Sequence, residues 1–327
     1  METLKHRAST LTSVVPAALA AAGALVISTV LPLAGPLLIA LVLGAIVANT
    51  RISGLDVMRG HAKTTKLLLR LGVVLIGLKL PIRDIINIGP QGIAVVVATV
   101  LVTYTATLVI GDRLGLDRGF VTLLAAGFSI CGAAAIVAVD DAVRAKQKDV
   151  ALAVAMVTLY GSAMIVLLPW LSQRIGLTNE QSAVWAGASI HEVAQVVAAA
   201  SIIGSGAVAV ATTVKLGRVI LLAPMYAVAS RRGDRTAAQK APTVPWFVVG
   251  FAIAVAVRSS GILTGGALHV ADLATTFLLA AGMFGLGMGI RAKEIWPVPV
   301  NALVLVLATA STLAAGGTSL GLITILM

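Results

Sequence analysis

Apolar residues follow one another along this chain in runs of about twenty, the length that carries an α-helix across the hydrocarbon core of a bilayer. Polar residues collect in the short gaps between the runs. Strands of a membrane barrel would instead alternate apolar and polar positions over about ten residues. These runs do not alternate, and a helix satisfies its own backbone hydrogen bonds in lipid. The pattern predicts spanning helices near residues 12–31, 34–49, 65–80, 90–111, 119–139, 149–171, 181–203, 206–229, 244–258, 268–290 and 298–326. The last run is long, and "AAGG" at 314–317 suggests a bend in it or its exit from the bilayer. The expected fold class is all-α: a polytopic transmembrane helical bundle of about 10–11 spans. It forms one integral membrane domain over residues 1–327, and no gap is long enough to hold a soluble domain.

Composition agrees. Of the 327 residues, 59% are hydrophobic and 11% charged, and mean hydropathy is +1.03. A soluble domain carries about 25% charged residues, so this chain cannot cover a globule with polar surface. The net charge of +11 would suggest nucleic acid in a soluble protein. Here Lys and Arg sit mostly in the short gaps, where membrane topology is the usual cause, and no nucleic-acid partner is expected. The single cysteine, Cys131, excludes an internal disulfide and does not indicate a compartment. The N-terminus resembles a signal peptide, with a basic start and then small apolar residues. Its apolar stretch is long enough to span and a second comes at once, so a retained first helix is expected.

Orientation follows from the bias of Lys and Arg. Lys5 and Arg7, then Arg51, Arg59, Lys63 and Lys66, then Arg231, Arg232, Arg235 and Lys240, then Arg291 and Lys293 all fall on one side of an eleven-span chain. That side is the cytoplasm, and the N-terminus lies there. One gap disagrees: "DDAVRAKQKD" at 140–149, with Arg144, Lys146 and Lys148, would lie outside. Either the fifth run does not cross simply or one span is miscounted.

Two internal similarities stand out. "LGVVLIGLKLPIRDI" (71–85) aligns without a gap on "AGMFGLGMGIRAKEI" (281–295), with Gly72 on Gly282 and Gly77 on Gly287. Span count gives these segments opposite directions, as in the inverted repeats of secondary transporters. "RLGLDRGFVTLLAAGFSICGAAAIVA" (113–138) also resembles "RIGLTNEQSAVWAGASIHEVAQVVA" (174–198), and both contain Gly-x-Ser-Ile at mid-run. Span count makes this second pair parallel, which an inverted repeat does not allow.

Gly-x-Ser-Ile inside an apolar run is a candidate helix break, because Gly is poor in helix interiors and Ser is a favoured N-cap. A restart at Ser129 or Ser189 would free backbone N–H groups at a half-helix N-terminus, a ready anion site. Close packing of small residues is the alternative for 127–135. It does not account for His191, Glu192 and Gln195, since polar groups within a span are functional by default. His191 can carry a proton near neutral pH. Gln195 stands where the second histidine of HExxH would be, which excludes a zinc peptidase, and no GxxxxGK[ST] motif is present to bind ATP. No metal and no cofactor are expected. In the run 206–229, Thr212, Lys215 and Arg218 form a stripe at a spacing of three, too deep for easy snorkelling. A water-filled cavity with two cations and helix N-termini describes a pocket for an oxyanion.

"SICGAAAIVAV", "GASIHEVAQVVAAA" and "TTVKLGRVILLAP" resemble the signatures of the YeiH-type membrane proteins, conserved hypothetical proteins commonly labelled sulfate exporters. The likeness covers nearly the whole chain. The family is grouped with the cation/proton antiporter and bile-acid transporter superfamily. That implies inverted repeats, interleaved panel and core subdomains, and two discontinuous helices crossing at the site. The matching positions are Ser129, Cys131, Gly132, Ser189, His191, Glu192, Gln195, Lys215 and Arg218. Ala133 and Ala135 depart from the pattern where a further Gly or Ser is expected. The resemblance implies a secondary transporter of a small anion in the plasma membrane, not an enzyme. Lys215, Arg218 and the half-helix N-termini would hold the anion, and His191 and Glu192 would gate it or couple it to a proton or cation. A second copy of the chain is a further expected partner. One rival is a cation/proton antiporter with Glu192 as carrier. Another is a non-transporting receptor or intramembrane enzyme, for which Cys131 with His191 would be the nucleophile.

Overall fold

The computed structural model describes residues 2–30, 35–54, 61–79, 81–204, 206–232, 246–289 and 302–327. In chain order the helices are α1 (Glu2–Val30), α2 (Pro36–Ala48), α3 (His61–Ile76), α4 (Ile82–Asn87), α5 (Gly89–Arg113), α6 (Arg118–Ser129), α7 (Ala133–Val143) and α8 (Gln147–Arg174). They continue with α9 (Asn179–Ser189), α10 (Val193–Ile203), α11 (Ala207–Ile220), α12 (Leu222–Ser230), α13 (Trp246–Ser259), α14 (Gly265–Gly287) and α15 (Ala302–Leu326). No strand occurs among the described residues. Each apolar run is a helix or a pair of helices. Five segments are continuous helices long and apolar enough to cross a membrane: Gly89–Arg113, Lys148–Arg174, Ala207–Ser230, Gly265–Gly287 and Ala302–Leu326. The chain is a multi-pass membrane protein. Where the sequence suggests a bend at 314–317, α15 stays helical throughout.

The chain divides into two compact units, Met1–Lys79 with Trp246–Pro299, and Leu80–Pro245 with Val300–Met327. In the first, α3 and α14 pack antiparallel on glycines. Gly72 faces the side chain of Leu279, Gly282 faces Leu69, and Gly285 faces Thr65. The first two contacts are reciprocal: the alignment matches Gly72 to Gly282, and its register extended two residues back matches Leu69 to Leu279. Gly44 of α2 lies against the Phe284 carbonyl and Gly287 against that of Leu41, so a Cβ at either would strike backbone. Lys79 pairs with Asp272. The rest of the aligned segment, from residue 290, lies outside the described residues.

In the second unit, α6 and α7 do not continue one another. Ala145 Cβ lies 3.8 Å from where a Cβ on Gly119 would stand. Helices in line would separate these residues by roughly 39 Å at 1.5 Å per residue. The pair is a hairpin whose legs begin and end together. Gly132 makes the reversal: its φ is +77°, which only glycine adopts without strain, and its N–H closes the end of α6 on the Gly127 carbonyl at 3.0 Å. Gly127 in turn leaves room for Ile136 of the returning leg. Similarly, α9 and α10 form a second hairpin. Gly204 beyond its end faces the Asn179 amide at its start, 3.3 Å from the place of a Cβ. Its tip, Ile190 to Glu192, is extended, with ψ of 147° and 150° at those two residues.

The hairpins open at opposite faces of this unit. The end of α5, both ends of the first hairpin, the start of α8 and the end of α12 line one cleft, through Asp112, Arg118, Arg144, Asp149 and Arg232. Arg232 bonds both carboxylate oxygens of Asp112 there, at 2.8 and 2.7 Å. From that face α8 runs to the other, where the second hairpin opens and α11 begins. The two expected discontinuities are therefore present, and the expected crossings are corrected: each pair dips into the unit and returns. Arg144 and Lys146 then share a face with Arg231 and Arg232, and the gap at 140–149 no longer conflicts with that pair. The two Gly-x-Ser-Ile segments enter from opposite faces of this unit.

Cysteines placed at Gly119 and Ala145, with Cys131→Ser, should form a disulfide on mild oxidation, since 3.8 Å is an ordinary Cβ separation for that bond. Mass spectrometry of the digested protein checks this, and a pair that stays reduced would rule out the hairpin.

Candidate functional site at the hairpin tips

Ending a helix inside a protein leaves its last carbonyls without partners. In α6 the Ala126 and Gly127 carbonyls accept from Ile130 and Gly132, and those of Phe128, Ser129 and Ile130 remain. The second hairpin leaves those of Ala188 and Ile190. All five are taken by two side chains of α11. Lys215 Nζ donates to Ile130 at 2.8 Å and Ile190 at 2.7 Å. Arg218 donates from Nε to Ser129 at 2.9 Å, from one terminal nitrogen to Ala188 at 2.7 Å and Ile190 at 3.2 Å, and from the other to Phe128 at 2.8 Å. Both cations are fully buried. The spacing of three puts them on one helix face, and Gly187, against the Ala211 carbonyl and Val214, lets α9 approach that face. The two tips meet on these cations. The expected open cavity is not where they lie: their donors are largely spent on the protein's own backbone.

Ser129 and Ser189 do not cap the returning legs, which corrects the expected restart. They close the first legs, Ser189 Oγ donating to the Trp185 carbonyl at 2.6 Å and Ser129 Oγ to Ala126 at 3.5 Å. The N-caps are Gly132 for α7 and Glu192 for α10. Glu192 N–H donates to Gln195 Oε1 at 3.1 Å, and Gln195 Nε2 donates to the Thr158 carbonyl of α8 at 3.1 Å. Gly161 of α8 provides the space for this amide. The Glu192 carboxylate faces the Ala133 N–H at the start of α7 and the Thr158 hydroxyl, and its Oε1 has no hydrogen-bond partner. Cys131 is buried and its thiol faces the Ala135 N–H. The His191 ring sits edge-on to Phe128 at 4.6 Å, with Nε2 3.3 Å from Thr312 Oγ1 and Nδ1 unpartnered.

Every candidate residue read from the sequence thus lies at the tips or on the face of α11 that holds them. Sequence reasoning missed Phe128, Thr158, Gly161 and Thr312. The polar and small residues of "TLYGSA" at 158–163, inside an apolar run, are the signal that could have found two of them. Among the described residues no cluster of three metal-ligating side chains is present. The arrangement can hold an ion between oppositely directed half-helix N-termini, and it carries two unpartnered acceptor or donor atoms on His191 and Glu192.

Arg218→Met leaves the Phe128, Ser129 and Ala188 carbonyls without a donor and Lys215→Met that of Ile130, while Ile190 keeps the other cation in either variant. At about 1–3 kcal/mol per buried group left unsatisfied, both variants should unfold earlier than the parent in detergent. Arg218→Met should lose more, and Arg218→Lys should fall between it and the parent. Thermal unfolding followed by tryptophan fluorescence gives the order, and equal melting temperatures would remove the structural role.

The model of the family described as conserved hypothetical protein 698 matches residues 11–306. A UPF0324 membrane protein of Corynebacterium glutamicum is 39% identical over 275 residues, covering 83% of this chain and 80% of its own. One from Pseudomonas aeruginosa is 37% identical over 300 residues, covering 86% and 84%. One from Bacteroides thetaiotaomicron is 31% identical over 301 residues, covering 86% and 88%. No solved structure matches the chain. With relatives of this identity along most of their length, the chain belongs to the UPF0324 membrane proteins, the family of conserved hypothetical protein 698.

Proposed function

We propose that this protein is a secondary active transporter of a small anion, sulfate or a related sulfur-containing or organic anion, working by alternating access. The observation that carries the reading is the charge at the meeting tips. Two buried cations face one carboxylate, and the negative ends of α6 and α9 are offset by the positive ends of α7 and α10. At about half a charge per helix end, roughly one positive charge is left over in a low-dielectric interior, His191 aside. An anion matches it. Lys215 and Arg218 then act on the anion through the field and through the donors their carbonyls do not use. Ser129, Cys131, Gly132, Ser189 and Gln195 shape the tips, and His191 and Glu192 gate or couple.

The two interleaved units correspond to the panel and core of such transporters, the tip-bearing unit being the core. The reciprocal contacts of Leu69 with Gly282 and Leu279 with Gly72, and hairpins opening at opposite faces, support two inverted repeats. Arg113, Arg118, Arg144, Lys146, Lys148, Arg231 and Arg232 cluster toward one face of the core. The positive-inside rule supports a cytoplasmic position for that face, and the Lys and Arg bias of the short gaps supports a cytoplasmic N-terminus for a protein of the plasma membrane. A second reading, a cation/proton antiporter, rests on Glu192 Oε1, which lacks a partner although two cations are near.

Purified protein in proteoliposomes separates the two. An anion transporter should accumulate labelled sulfate, with the rate altered by an imposed membrane potential. Sodium–proton exchange without any anion flux would overturn the anion reading and favour the second.

A further inference from the structure

Glu192 bridges both half-helix N-termini. Its backbone is the N-cap of α10, while its side chain reaches across to α7. There the N-cap, Gly132, supplies no side-chain acceptor of its own, and Glu192 does so in its place. The fit is tight: Glu192 Cγ stands 2.5 Å, and Oε1 3.3 Å, from where a Gly132 Cβ would be. The carboxylate occupies the position at the positive end of α7 that an incoming anion would take. From the two unit charges of α11 it receives no ion pair: among the described residues, the ion pairs are Lys79 with Asp272 and Arg232 with Asp112. Lys215 and Arg218 are held by carbonyls instead. Glu192 is therefore kept in place by the backbone N–H groups at the starts of α7 and α10, contacts that a single proton would weaken.

We propose that Glu192 is a built-in competitor of the transported anion, so that each anion admitted to the tips takes one proton with it onto this carboxylate. This rests on the anion reading above and adds the coupling ion, its stoichiometry and its carrier. The proton binds the Glu192 carboxylate to give the neutral acid. The neutral side chain releases the Ala133 N–H, and the anion replaces it there. With Glu192 neutral about two positive charges face the site, and a dianion such as sulfate both replaces the charge removed from Glu192 and matches the one left over. The groups facing Glu192 are Lys215 and Arg218 from α11, Cys131 from the first tip, Thr158 from α8, and His191 and Gln195 from its own hairpin. None of these is a carboxylate.

The test is a calorimetric titration of the purified full-length chain with sulfate and with thiosulfate, which stay fully ionised around neutral pH. In the parent protein, affinity should rise about tenfold for each pH unit lowered while Glu192 is ionised, as one-proton linkage requires. Repeating it in buffers of different ionisation heat should show one proton taken up per anion. Glu192→Gln should bind both anions independently of pH, at the parent's low-pH affinity and with no proton uptake. Its thermal unfolding serves as the check on folding. If the parent binds and a folded Glu192→Gln does not, Glu192 positions the ligand and the competition is refuted while the anion reading stands. A variant that keeps the parent's pH dependence refutes it equally. If neither protein binds either anion, the anion reading fails and this inference with it.

Discussion

The six hydrogen bonds from Lys215 and Arg218 to the carbonyls of two helix ends are the interaction on which the rest of this structure depends. A helix that stops within the bilayer exposes acceptors that lipid cannot satisfy, at several kcal/mol each. Two helices stop at the same place here, so the cost is concentrated at one point. Burying two charges is also expensive. Each problem answers the other: the cations need acceptors in a dry interior, and the broken helices supply acceptors at their negative ends. This accounts for a lysine and an arginine that are fully buried in a helix otherwise suited to lipid.

Glycine sets the geometry around that clasp. Gly132 takes a left-handed conformation so the first hairpin can reverse, and it leaves the space that Glu192 fills. Gly187 and Gly127 serve close approach, one of α9 to α11 and one of α6 to α7. In both copies of Gly-x-Ser-Ile, the glycine admits a neighbouring helix, the serine bonds back into its own helix, and the isoleucine carries the chain into the tip. The repeated motif therefore encodes the end of a helix, and the residues just beyond it differ between the copies. The first copy continues with Cys131 and Gly132, the second with His191 and Glu192. The two tips are complementary: one lacks a capping side chain and the other supplies it.

That complementarity connects the fold to the transport proposed above. A site between opposed hairpins has one leg pair rooted in each face, so movement of either hairpin would expose the tips to its own side. The residues that can exchange protons, His191 and Glu192, belong to one hairpin, while the helix end that Glu192 caps belongs to the other. Movement of either hairpin would break that contact and so change the affinity of the carboxylate for a proton.

Much of this was legible in the sequence. The apolar runs located the five helices long enough to span a membrane, because crossing hydrocarbon demands a length and composition that few other elements need. The buried polar residues were legible too, since a charge in an apolar run is too costly to be incidental. Gly-x-Ser-Ile marked where the helices stop. The direction in which the chain continues was not legible. A break that leads into a crossing and a break that leads into a return have the same local sequence, and the choice between them is made by contacts between residues far apart, Gly119 with Ala145 and Gly204 with Asn179. The conflict of basic residues at 140–149 was the one trace of it. The partners of Lys215 and Arg218 were equally hidden, because backbone carbonyls belong to every residue and only the tertiary structure shows which are left without a donor. The sequence by itself determined which residues meet at the hairpin tips, because polar groups within an apolar run are costly to bury. The folded chain decided that the cations hold those tips together and that Glu192 reaches the start of the other hairpin's returning leg.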